Sequence, residues 1–147
     1  MLMATLDGSP RTVPILEDVM SRLFWGAAVV VLASGACAAE HTTDSLDTVK
    51  KAVADGKAVL VDVREADEWK DGHLKDAKHV TLSELKAGVP DEKLKKTLPP
   101  GSVVYLHCGS GKRSLAAADI LKKQGYDVRP LKDGYQALLK NGFPQDK

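Results

Sequence analysis

The stretch Ser102-Val103-Val104-Tyr105-Leu106-His107-Cys108-Gly109-Ser110-Gly111-Lys112-Arg113-Ser114 constrains this chain more than any other. An apolar, β-branched run ends on a cysteine, and a glycine turn carrying two cations follows at once. Leu115 to Lys123 then reads as a helix. A strand, a tight loop and a helix N-terminus are the parts that turn a thiol into a usable nucleophile. Gly109 and Gly111 let backbone N–H groups converge on the sulfur as an anion-binding concavity. The helix start favours negative charge in the same place, and Lys112 and Arg113 add full positive charges. Cys108 is therefore expected to favour its thiolate. The competing reading is a small buried hydrophobe at a strand end. Flanking glycines and cations have no packing role, and they decide for the nucleophile.

Length and charge narrow the partners. The 147 residues give room for one domain of ordinary size once a leader is removed, and 44% hydrophobic with 28% charged residues is a globular composition. The formal net charge is +1, and without residues 1–39 there remain 19 Lys and Arg against 17 Asp and Glu. A nucleic-acid surface normally needs a marked basic excess, so nucleic acid is excluded as a partner. Aromatic residues, at 5%, do not interleave a basic groove.

The N-terminus reads as an address. Leu23 to Ala39 is an uncharged run behind Arg22, ending in small residues and a little short for a spanning helix. Ala36-Cys37-Ala38 fits small-x-small cleavage after Ala38, and Cys37-Ala38-Ala39 offers the next frame. Residues 20–39 are thus expected to be a signal peptide, residues 40–147 the folded domain. Glu17 and Asp18 are misplaced for a signal, whereas a start at Met20 gives Met-Ser-Arg before the apolar core. Residues 1–19 then read as an over-long gene start. The product would be exported, with no membrane contact after cleavage. The alternatives are lipid attachment at Cys37, against which Ser34 replaces the expected aliphatic residue, and an uncleaved N-terminal anchor. After cleavage Cys108 has no partner within the chain, so it is free for chemistry or for pairing outside the chain.

The remaining pattern alternates helices and strands. Ser45 caps a helix to Ala54 that stops at Gly56, and Ala58 to Val63 reads as a parallel strand buried on both faces. Glu65 to Asp71 is a short helix ended by Gly72, Ala77 to Thr81 a strand, and Ser83 to Lys86 a helical turn. Pro90 to Gly101 is expected to be a lysine-rich connection with a solvated face. Ser102 to His107 is a strand, and Asp127 to Leu131 another, with Pro130 marking an irregular or edge position. Tyr135 to Lys140 closes the chain as a helix. This predicts an α/β three-layer sandwich: a parallel sheet of about five short strands with helices on both faces. Ligands in such sheets bind beyond the strand C-termini, where Cys108 and Asp62-Val63-Arg64 both lie.

Loop length selects among thiolate chemistries. Cys108 to Arg113 is Cys-x4-Arg, one residue shorter than the loop that cradles phosphate in thiolate phosphatases and small arsenate reductases. A tighter loop suits a terminal sulfur bonded to Cys108. Asp62-Val63-Arg64-Glu65-x-x-Glu68-Trp69-x-x-Gly72-His73-Leu74, followed by Cys108-x-x-Gly111-x-Arg113-Ser114, resembles the single-domain rhodanese family. With its leader the chain is similar to the exported, periplasmic members.

The resemblance implies a rhodanese-like fold and a thiosulfate sulfurtransferase without cofactor. Cys108 would attack the outer sulfur of a small inorganic donor, release sulfite and carry a persulfide to cyanide, a thiol or an acceptor protein. Gly109, Ser110, Gly111 and Ser114 would line the anion cradle, and Arg113 with Lys112 would hold the donor. Asp62 and Arg64 are expected to form an ion pair pinning the strand end. Glu68 lies on the short helix beside Trp69, read as core packing. His73 is read as a hydrogen bond at a turn, Tyr135 as a core or rim contact, and Ser114 as the cap of the following helix. His107, next to Cys108, would point to the opposite face of its strand and pack under the loop. His41 and His79 show no ligand spacing, so no metal site is expected.

Two other functions compete. A sulfane-sulfur carrier for a partner protein would form the persulfide without turnover on cyanide. A phosphatase or arsenate reductase of the same fold is disfavoured by loop length. A thiol–disulfide oxidoreductase lacks the resolving Cys-x-x-Cys partner.

Overall fold

A computed structural model describes residues 38–146. The gene start assigned to residues 1–19, Cys37 and all of the expected leader except Ala38 and Ala39 lie outside the described residues. In chain order the elements are α1 (Leu46–Ala54), β1 (Ala58–Asp62), α2 (Ala66–Lys70), β2 (His73–Leu74), β3 (Ala77–His79), α3 (Leu82–Ala87), α4 (Asp91–Thr97), β4 (Val103–His107), α5 (Lys112–Lys123), β5 (Asp127–Pro130), α6 (Tyr135–Lys140) and β6 (Gln145–Asp146).

The main sheet is parallel throughout, in the order β3-β1-β4-β5. Among the described residues it has four strands rather than about five, while β2 and β6 pair antiparallel with each other in a separate two-stranded sheet. Alternation along the two central strands sorts the core into two layers. Val61, Val63, Val104 and Leu106 pack with Leu82, Leu85, Leu94, Ala117 and Leu121 from the helices of one face. Leu60 and Tyr105 point the other way, onto Val49 of α1 and Leu138 of α6. The α/β sandwich is therefore as predicted, with near-continuous apolar strands covered on both faces.

Local signals account for most boundaries. The Ser45 side chain accepts the Thr48 N–H and starts α1. A capping box, Glu65 with Glu68, starts α2, and another, Thr81 with Glu84, starts α3. Pro130 ends β5 on a sheet edge, where its missing N–H leaves no ladder bond unmade. The lysine-rich connection contains a helix that the sequence reading lacked: α4 buries only Leu94, with Leu98 just beyond, and exposes its charges. Residues 39–44 run as a strap along the β5 side of the sheet. Thr42 N–H donates to Pro130 O at 2.8 Å, and Asp44 accepts from Tyr105 Oη and Arg129.

Beneath the C-terminal ends of β1 and β4 lies a buried polar layer. Arg64 is 4% exposed and Asp62 fully buried. Arg64 Nη2 and Nε lie 2.7 and 2.8 Å from Asp62 Oδ2, Nη2 also donates to Gly72 O, and the guanidinium stacks 3.9 Å over the Tyr135 ring. Removing one partner of such a pair costs about 3–5 kcal/mol, because the other charge is left buried. His107 is fully buried, neither ring nitrogen has a hydrogen-bond partner among the described residues, and Asp62 Oδ2 is 3.8 Å away. Burial lowers its pKa to about 4 against the weaker upward pull of Asp62.

Two predictions follow from this layer and the loop above it. The unfolded chain protonates His107 below the ordinary histidine pKa of 6.5, whereas the folded chain does so only near 4. Its contribution to stability is thus complete above pH 6.5 and is lost as pH falls from there towards 4. Thermal unfolding should show that acid limb, and His107→Gln should flatten it; an unchanged limb contradicts the assignment. Separately, a Cβ on Gly134 would lie 2.0 Å from Gly109 O. Gly134→Ala should therefore displace the Cys108 loop and lower activity by at least about tenfold, since a misplacement of about 1 Å at a reacting group can cost more than that. Wild-type turnover in that variant would contradict the close approach.

Candidate active site

Cys108 is the first residue after β4, and α5 begins four residues later at Lys112. The loop between them is wound around the sulfur. Gly111 N–H donates to Cys108 Sγ at 3.1 Å, and Gly111 adopts φ +85°, a left-handed conformation that a side chain would strain. A Cβ there would also lie 2.4 Å from Lys132 O. Gly109 and Ser110 are exposed, Gly111 is buried, and Cys108 itself has no exposed surface.

The loop is braced from three sides. Tyr135 N–H donates to Cys108 O at 2.8 Å. Ser114 Oγ donates to Gly111 O at 2.6 Å and Leu131 O at 3.1 Å. His41 Nε2 donates to the same Gly111 carbonyl at 3.0 Å. The expected cap role of Ser114 is corrected here: Gly111 occupies the N-cap position, and Ser114 sits inside the first turn of α5 with its hydroxyl turned back on carbonyls. His41 was missed from sequence, since nothing in the spacing of residue 41 signals a contact with residue 111. Among the described residues no three His, Cys, Asp or Glu side chains are grouped to hold a metal ion.

Charge at the mouth is arranged differently from expectation. Arg113 Nη1 and Nη2 donate to the two oxygens of Glu68 at 2.5 and 2.8 Å, so the guanidinium fork is occupied by a carboxylate. The hydrogen bond from Arg113 holds the Glu68 carboxyl at about 2, with the Glu65 N–H bond and the charges of Arg113 and Arg64 adding to it against desolvation. The same pair raises Arg113 further above its ordinary range, with the nearby Cys108 contributing. Lys112 is exposed and forms no ion pair among the described residues. Glu68 lines an open cleft of about 400 Å³ together with Arg64, Gly72 and Tyr135.

The mount for Glu68 is α2, which buries none of its own residues. Trp69 is half-buried rather than a core residue: its ring lies between His73, at 3.7 Å, and His79, at 4.5 Å, both nearly parallel to it. The rings are fixed in turn, since His73 Nδ1 bonds Trp69 O at 3.2 Å and His79 Nε2 bonds Arg64 O at 2.9 Å. A stacked triplet thus replaces the apolar face that a longer helix would bury.

Comparison with known proteins adds a family. The model of the rhodanese-like domain matches residues 45–141. A Schizosaccharomyces pombe protein named "Putative thiosulfate sulfurtransferase, mitochondrial" is 29% identical over 123 residues, covering 79% of this chain and 84% of its own length. The Bacillus subtilis "Putative sulfur carrier protein YrkF" is 35% identical over 83 residues, 56% of this chain, and this chain spans only 42% of its length. The human single-domain sulfurtransferase TSTD1 shares the fold, with TM-score 0.56 and 24% identity, over 69% of this chain and 97% of that one. The matched range takes in the buried ion pair, Glu68 and the Cys108 loop together, and the chain belongs to the rhodanese-like domain family.

Proposed function

We infer that this protein is a sulfurtransferase that moves sulfane sulfur from thiosulfate or a similar small donor to cyanide or a thiol through a persulfide on Cys108. The observation that carries the reading is the Gly111 N–H bond to Cys108 Sγ at the head of α5. A buried sulfur with an amide donor and a helix N-terminus aimed at it is suited to carry negative charge. The Cys108 thiolate attacks the outer sulfur of thiosulfate. The bond from that sulfur to the sulfonate breaks, and sulfite leaves with the electron pair. Cyanide then attacks the outer sulfur of the persulfide, thiocyanate departs, and the thiolate is restored. Lys112 and the loop amides attract the anionic donor.

A second reading, a sulfur carrier that delivers to a partner protein, draws support from the sulfur-carrier relative and from the full burial of Cys108. It keeps the persulfide and differs in the acceptor. Export of the mature protein belongs to the same proposal, with periplasmic delivery after cleavage behind Ala38. Ala39 N–H donates to Asp119 Oδ1 at 2.7 Å, so a chain cut there would place a charged α-amino group on that carboxylate.

One experiment tests these together. Intact mass of the protein recovered from the exported fraction should show a chain beginning at Ala39, and a gain of one sulfur atom after thiosulfate. Thiocyanate should form from thiosulfate and cyanide in the wild type and not in Cys108→Ser. A mutant with full turnover contradicts the enzyme reading. A persulfide with negligible cyanide turnover but transfer to a protein acceptor favours the carrier.

A further inference from the structure

Arg113 is the side chain of the Cys108 loop whose planar fork can grip two oxygens of a sulfonate. In this structure that fork holds Glu68 with both arms, at 2.5 and 2.8 Å. The pair lies over the loop itself: a Cβ on Gly109 would sit 3.1 Å from Arg113 Nη2 and 3.6 Å from Glu68 Oε1. Cys108, the neighbour of Gly109, has no exposed surface. Glu68 is also firmly mounted. Its carboxylate accepts the Glu65 N–H at 3.2 Å, and the Trp69 stack with His73 and His79 fixes the helix that carries it.

Resting on the sulfurtransferase reading, we propose that Glu68 sets the donor specificity of this site, by competing with oxyanion-bearing donors for Arg113. Thiosulfate can be clamped only after its sulfonate displaces a resident carboxylate, which then turns into the cleft it lines. A donor whose leaving group carries no oxyanion escapes that competition. With an organic hydropersulfide, the Cys108 thiolate attacks the outer sulfur of R–S–SH and the S–S bond breaks. R–S⁻ leaves with the electron pair, and Cys108–S–SH remains. No step needs the guanidinium, so hydropersulfides are the favoured class and thiosulfate a handicapped one. Glu68 acts through Arg113 and is a positioning residue. Lys112 is the loop cation left to draw anions towards the mouth.

The test uses two alkylating agents of similar size, iodoacetate with its carboxylate and neutral iodoacetamide, on Cys108 of the whole protein. Glu68→Gln should raise the iodoacetate-to-iodoacetamide rate ratio about fivefold, the order of a partly exposed bidentate ion pair. It should lower the KM for thiosulfate by the same factor with kcat little changed. Glu68→Asp keeps the charge and should stay within about twofold of wild type on both readouts. A ratio that is unchanged or lower in Glu68→Gln overturns the proposal, because Glu68 would then merely align Arg113 for the donor. Alkylation needs no sulfur transfer, so the ratio still reports on Glu68 if thiosulfate and cyanide turnover proves absent; that absence would count against the enzyme reading alone.

Discussion

A sulfur nucleophile can be buried only where hydrogen-bond donors stand in for the water it gives up. At the end of β4 that donor is the Gly111 amide, and much of the surrounding structure serves to hold it there. The Gly111 carbonyl is pinned by Ser114 and His41, while Lys132 O closes the space where a side chain would stand. Gly134 lets the Gly109 carbonyl approach, and the Tyr135 N–H anchors Cys108 by donating to its carbonyl. All of these contacts fall on the main chain of the loop and are fixed before any substrate arrives, which is what electrostatic stabilisation of a developing anion requires.

Below the loop, the Asp62–Arg64 pair serves a different end. It links the end of β1 to the Gly72 turn through the bond to Gly72 O, and it stacks on Tyr135 at the start of α6. Strand β1, the neighbour of the β4 strand that ends at Cys108, is thereby tied to the turn after α2 and to the helix that braces the loop. Above the loop, charge is nearly balanced by the Glu68–Arg113 pair. The site combines a rigid anion cradle with a mouth whose main cation is already engaged.

Much of this was legible in the sequence. Ser45, the buried strand from Ala58, and the helix from Tyr135 to Lys140 stood out because capping residues and apolar runs act over a few neighbours. The end of β4 and the glycine turn after it were legible for the same reason, but α5 begins at Lys112 behind Gly111, three residues before the helix read from Leu115 behind a Ser114 cap. What failed was either marginal or long-range. In α4 the apolar signal is reduced to Leu94 and Leu98 among lysines, so its periodicity could not be distinguished from a solvated loop. Trp69 looked like core because large aromatics usually are, yet two histidines cover its faces instead. The Glu68–Arg113 pair and the His41 contact join residues 45 and 70 positions apart, a separation that only tertiary structure resolves.

The central claim is that main-chain amides of the loop hold the charge of the Cys108 sulfur. Amide proton and nitrogen resonances of the reduced protein, compared with those of the persulfidated protein, test it most directly. The account predicts that the largest shifts fall on Gly111 and its loop neighbours from Gly109 to Ser114, with the β-sheet amides nearly still. Shifts that leave Gly111 untouched, with the sulfur demonstrably attached to Cys108, would contradict it.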